Sequence, residues 1–62
     1  MIVGLDMGGT HIDAVLVRQG EIIEVVKKPI DHSNLHGLVW ETLKDLLKGK
    51  DTDQIKRINL ST

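Results

Sequence analysis

The chain has 62 residues, a formal net charge of −1 and no cysteine. That length holds one domain at most, and the missing cysteines exclude disulfides and thiolate zinc sites. Lysines and acids are interspersed, which leaves no electrostatic footprint for nucleic acid or a membrane surface. Trp40 is the only aromatic residue, so a base-stacking platform is also excluded. No apolar run approaches the roughly 18 residues of a membrane helix. Met1 leads directly into an apolar run without a basic segment, so no signal peptide is expected and the expected location is the cytoplasm. A domain this short buries only about 60% of the surface its unfolded chain exposes. Such a domain needs outside support, either from association or from the remainder of a larger fold.

Residues 2–6, IVGLD, form a short apolar run ending in an acid, which predicts a strand buried on both faces. Gly8-Gly9 punctuates it, and glycine is expected there to supply a positive φ. Residues 11–18, HIDAVLVR, place Ile12, Ala14 and Leu16 on one face and Val15 and Val17 on the other. They predict a second strand antiparallel to the first. Gln19-Gly20 signals a two-residue turn. Residues 21–28, EIIEVVKK, predict a third strand, and its charges and the following Pro29 suit a sheet edge.

Residues 33–48 change period. Leu35, Leu38, Val39, Leu43, Leu46 and Leu47 fall on one face of an amphipathic helix. Ser33 is the expected N-cap and Gly49 the expected C-cap. Gly37 is a weak point near the start. Residues 49–54 read as loop, and residues 55–60, IKRINL, as a fourth strand. A strand reached through a helix is expected to run parallel to an earlier one. The predicted architecture is α/β, in the order β-β-β-α-β, with sheet order 3-2-1-4 and one face left uncovered.

The turn itself carries a chemical reading beside the plain hairpin reading. Backbone N–H groups of a glycine-rich turn can surround phosphate oxygens, and Thr10 adds a hydroxyl. Asp6, ending a buried strand, can hold Mg²⁺, which takes oxygen ligands and keeps several waters. The Walker A and G-x-G-x-x-G patterns are both absent, and the turn leads into a strand rather than a helix. Elsewhere the structural readings prevail. Trp40 reads as packing, His32 and His36 as solvated residues beside the helix start, and Lys27-Lys28 as a solvated strand end. The three histidines lack a zinc-ligand pattern.

The run IVGLDMGGT at residues 2–10 resembles the first phosphate-binding motif of the actin-like ATPase superfamily. The element order also matches the start of that superfamily's ribonuclease-H-like domain. Kinases of the ROK type usually carry lysine where this chain has His11. Actin and the heat-shock chaperones tend to carry lysine where it has Asp13. DMGGTHIDAV at residues 6–15 is closely similar to the D-x-G-G-T-[FH]-[TS]-D-A-V run of the hydantoinase/oxoprolinase family, with Ile12 departing from the small hydroxyl residue. Lys27-Lys28-Pro29, Gly37-Leu38 and INLST at residues 58–62 continue the resemblance, the last ending inside the family's Ser/Gly-Thr-Thr motif.

The resemblance implies ATP and Mg²⁺ as cofactors and a cyclic amide, such as a hydantoin or 5-oxoproline, as substrate. It implies that Asp6 organises Mg²⁺, that Gly8, Gly9 and Thr10 contact the β- and γ-phosphates, and that the His11 N–H can join them. Asp13 matches a family acid without an assigned role. It further implies that residues 1–62 are an incomplete amino-terminal portion of an actin-like ATPase domain, without turnover of their own. The alternatives are a fragment of a small-molecule kinase of the same superfamily, or a small non-catalytic protein that self-associates.

Overall fold

The computed structural model describes residues 1–61; Thr62 lies outside them, and with it half of the Ser61-Thr62 pair. The elements are β1 (Ile2–Met7), β2 (His11–Arg18), β3 (Glu21–Pro29), α1 (Leu35–Leu47) and β4 (Arg57–Ser61). They form one sheet in the order β3-β2-β1-β4. β1 pairs antiparallel with β2, β2 antiparallel with β3, and β4 parallel to β1. The α/β architecture read from the sequence is the observed one.

The β2–β3 hairpin turns at Gln19 (φ 53°) and Gly20 (φ 80°). Two successive positive φ values match the right-handed twist of the flanking strands. Arg18 then faces Glu21 and Val17 faces Ile22. Between Leu16 and Val17 the register slips by one, because β3 carries an extra residue there.

α1 lies across β2 and β3. Beneath it, Val3, Leu5, Ile12, Ala14, Leu16, Leu38 and Leu46 form the core. Thr42 is also fully buried, at the centre of the helix face. Its hydroxyl donates to the Leu38 carbonyl at 2.7 Å, so a polar residue sits inside without an orphaned group. The sequence reading had not placed it there. Lys28 also differs from its reading as solvated. Its ammonium lies 2.6 Å from Asp45 and 3.2 Å from Glu41, pinning the helix to β3. The hydrogen bonds to Asp45, then Glu41, raise its pKa above the ordinary lysine value. Lys50, 3.3 Å from Glu24, ties down the far end of the helix.

The N-cap is Asn34 and not Ser33. The Ser33 N–H and hydroxyl both donate to the Asp31 carboxylate, which commits Ser33 to the preceding turn. The Asn34 side chain is left to accept from the Gly37 N–H at 3.1 Å. A Cβ at residue 37 would lie 2.9 Å from the Asn34 Oδ1, so glycine is what lets the cap close. Gly49 (φ 75°) is the left-handed residue just past the helix, with Lys48 as the C-cap. A single 3₁₀ turn at Thr52–Gln54 follows within the expected loop.

One helix cannot cover four strands. On the face away from α1, Ile2, Ile22 and Val25 are exposed. On the helix side, Ile58 and Leu60 of β4 are 54% and 63% exposed, although they stand in register with buried Val3 and Leu5.

Two outcomes are expected. Leu46→Ala should lower unfolding free energy by about 2–5 kcal/mol, read as a urea midpoint followed by Trp40 fluorescence. A change below about 1 kcal/mol would contradict its central place in the core. Ser33→Ala should move the Asp31 pKa part of the way back up to the ordinary range, read by carboxyl NMR titration. The Ser33 hydroxyl, then its N–H, holds that pKa low. A group with a lowered folded pKa adds stability above its unfolded pKa and loses it as pH falls through the folded value. Ser33→Ala should therefore cost stability at neutral pH and less in strong acid.

Candidate phosphate-cradle site

The β1–β2 turn runs from Gly8 to His11, with Gly9 and Thr10 at its tip, between the paired residues Met7 and Ile12. The Gly8 N–H donates to the His11 carbonyl at 3.0 Å and closes the turn. The Ile30 N–H donates to the Thr10 carbonyl at 2.9 Å, which fastens the turn to the segment after β3. Among the described residues, the Gly9 and Thr10 N–H groups have no acceptor, and both residues are exposed.

Neither Gly8 nor Gly9 has a left-handed φ, contrary to the expectation from the sequence. The register pairs Met7 with Ile12, so Gly8 and His11 close the turn around Gly9 and Thr10, and neither of these two takes the positive φ of the β2–β3 turn. Crowding does not require glycine at residue 9 either, because a Cβ there would meet nothing within 4 Å. At residue 8 the nearest atom would be the His11 carbonyl oxygen at 3.6 Å, an ordinary contact. The glycines therefore leave a bare, accessible strip of backbone.

Asp6 is exposed rather than buried, on the face away from α1. Strand register places Asp13 directly opposite it on β2 and Ser61 beside it on β4. Lys27 faces Asp13 from β3, with Nζ 3.9 Å from Oδ1. A polar row thus crosses all four strands, in the order Lys27, Asp13, Asp6, Ser61. Two carboxylates facing each other across strands repel, and Lys27 offsets this from one side only. Beside the row is a shallow depression lined by Gly4, Asp6, Asp13, Val15, Asn59 and Ser61.

Thr10 Oγ1 lies 3.0 Å from His11 Nδ1. If Nδ1 carries the proton, the ring donates to Thr10 and frees the hydroxyl proton for another acceptor. If Nδ1 is bare, the hydroxyl proton goes to the ring. His11 thus controls what Thr10 offers.

The structure brings together Asp6, Gly8, Gly9, Thr10, His11 and Asp13 at one end of the sheet. Lys27 and Ser61 join them, although the sequence reading gave Lys27 no role. The only signal for Lys27 was its neighbour Pro29 closing the strand; the slip that aims it at Asp13 leaves no pattern in the residues. His32 and His36 are exposed and outside this set. Among the described residues no group of three or more His, Cys, Asp or Glu is arranged to hold a metal, and no helix is long and apolar enough to cross a membrane.

A parallel crossover built on a glycine hairpin, with an acid before the turn, is thus the architecture of the chain. Residues 2–62 match the hydantoinase/oxoprolinase N-terminal region, and the chain belongs to that family. No curated protein and no solved structure matches it.

The glycines are separable by thermal unfolding. Gly9→Ala should stay within about 0.5 kcal/mol of the parent chain, since its Cβ enters open space. Gly20→Ala should cost about 1–2 kcal/mol, the penalty of a left-handed φ. Equal costs would remove the argument that Gly9 serves something outside the fold.

Proposed function

We propose that this chain is the amino-terminal, phosphate-cradling portion of an ATP-dependent enzyme that opens a cyclic amide of the hydantoin or 5-oxoproline type. In this reading, residues 1–62 are an incomplete part of an actin-like ATPase domain. The observation that carries it is Gly9, a glycine that neither backbone conformation nor crowding demands, beside two N–H groups free to meet an anion. Family membership supports the hydrolase over a kinase of the same superfamily. An enzyme that uses ATP works where ATP is kept, so the proposed location is the cytoplasm.

The residues fit the cofactors. Gly9 and Thr10 offer backbone N–H groups to phosphate oxygens, and Gly8 keeps the approach clear of a side chain. The Thr10 hydroxyl adds a donor when the His11 ring leaves its proton free. Asp6 is a hard oxygen donor, exposed beside the turn, of the kind Mg²⁺ takes together with phosphates and waters. Bound there, Mg²⁺ would neutralise charge on the phosphates during transfer to the ring amide oxygen. Asp13 stands close enough in register to share that cation through water. Phosphoryl transfer needs charge stabilisation from several directions. A single hairpin supplies one, so the 62-residue chain should bind without turning over.

Amide NMR of the 62-residue chain, titrated with MgATP, tests the binding. The Gly9, Thr10 and His11 signals should shift with weak, roughly millimolar affinity, and Asp6→Asn should reduce the effect of Mg²⁺ by about tenfold. Shifts elsewhere with a silent turn would overturn the cradle. Sustained ATP hydrolysis stimulated by a hydantoin or 5-oxoproline would overturn the fragment reading while leaving the cradle intact.

A further inference from the structure

We propose that the backbone N–H of Ile30 is a positioning group for the phosphate site. It fixes the peptide that carries the His11 N–H, and so aims a third donor at the bound phosphate. This role rests on the phosphate reading of the turn.

A two-residue hairpin ordinarily closes with two hydrogen bonds between the residues that flank its tip. Here the flanking residues are Gly8 and His11, and only one of the two bonds is made. The Gly8 N–H donates to the His11 carbonyl, but the His11 N–H makes no bond to the Gly8 carbonyl. The side chains that accept a backbone N–H, Asp31, Asn34 and Asp51, all lie elsewhere. Among the described residues, three successive N–H groups, of Gly9, Thr10 and His11, are therefore left without an acceptor. A concavity of successive backbone N–H groups suits an anion.

Ile30 sets the aim of the third. Its N–H donates to the Thr10 carbonyl at 2.9 Å. The Thr10–His11 peptide is trans and planar, so its N–H points opposite to its carbonyl. With the carbonyl held toward the segment after β3, the His11 N–H is turned to the Gly8 side of the turn. A carbonyl that accepts a hydrogen bond also makes the N–H of its own peptide a better donor.

The donor is itself well anchored. Pro29 stands opposite His11 and has no N–H to give, so the bond falls to Ile30. The Ile30 side chain packs half-buried against the core. Asp31 follows at once and binds Ser33, which leads into the Asn34 cap of α1. Among the described residues, this is the turn's one backbone bond to a residue outside β1 and β2. It connects the mobile part of a hairpin to a frame made by β3 and the start of α1, as a preorganised site requires.

Amide NMR of the 62-residue chain, titrated with MgATP, separates the outcomes. Ile30→Pro removes the N–H; Ile30→Ala keeps it and removes the half-buried side chain. In the parent and in Ile30→Ala, the Gly9, Thr10 and His11 signals should shift together, with affinities within about twofold of each other. In Ile30→Pro the affinity should fall about fivefold, the worth of one hydrogen bond. His11 should then lose most of its shift while Gly9 keeps its own. A merely structural loss would affect all three signals alike, or would already appear in Ile30→Ala. A second measurement uses the parent alone and decides the matter should Ile30→Pro not fold. MgATP should slow hydrogen exchange at the Ile30 amide by a larger factor than at the Leu46 amide in the helix. Ile30→Pro binding like the parent, Ile30→Ala binding as weakly as Ile30→Pro, or Ile30 exchange slowed no more than that of Leu46 would each overturn the proposal and leave the cradle standing. A turn silent to MgATP in the parent would overturn both.

Discussion

The Gln19-Gly20 turn and the bulge beside it decide which way every residue of β3 beyond Ile23 points. A two-residue turn fixes Arg18 against Glu21. Continued without interruption, that register would set Ile12 opposite Lys27 and turn Lys27 toward the helix. The extra residue shifts the pairing, so Ile12 faces Lys28 and Asp13 faces Lys27. A slip of one residue exchanges the two faces of a strand. As a result Lys28 reaches under α1 to Asp45 and Glu41, while Lys27 stands on the open face beside Asp13. One irregularity therefore sets both the helix anchor and the charge pattern of the candidate site.

The anchor has a cost in coverage. With α1 held over β2 and β3, nothing in the described chain lies over β4, whose residues are all exposed. The helix flanks differ accordingly. Glu41 and Asp45 point toward β3, where Lys28 meets them, while Val39, Trp40 and Leu43 point the other way, over a groove shared with Met7. Apolar area left in water contributes nothing of the roughly 25 cal/mol per Å² that burial yields. A chain of this size has little stability to forgo. Among the described residues, the β4 side of the sheet is the side without cover.

Much of this was legible in the sequence. Period two, then period 3.6, then a short apolar run gave the element order, and the crossover rule gave the sheet order. Residues that depended on a competing local bond were not legible. Ser33 has the right chemistry for an N-cap, but Asp31 two residues earlier captures it, and Asn34 takes over. Thr42 breaks the apolar pattern, yet it is buried because its hydroxyl is satisfied within its own helix. The bulge leaves no pattern in composition, so the roles of Lys27 and Lys28 could not be separated. At the turn, the local expectations failed: Asp6 is exposed rather than buried, and neither Gly8 nor Gly9 is left-handed.

That last difference strengthens the ligand reading. Inside a fold, a glycine is explained by a φ that other residues avoid, or by a neighbour too close for a Cβ. Gly20 and Gly49 have the first explanation. Gly37 has the second, under the Asn34 cap, and so does Gly4, where a Cβ would press on Val15 at 3.1 Å. Gly9 has neither. Had the turn needed positive φ there, backbone geometry alone would account for the residue, and nothing would point outward. What remains for Gly9 is the removal of side-chain bulk from a surface where two N–H groups stand free, next to an exposed carboxylate. An anion accompanied by a cation satisfies both halves of that surface at once, and no neighbour within the described chain does.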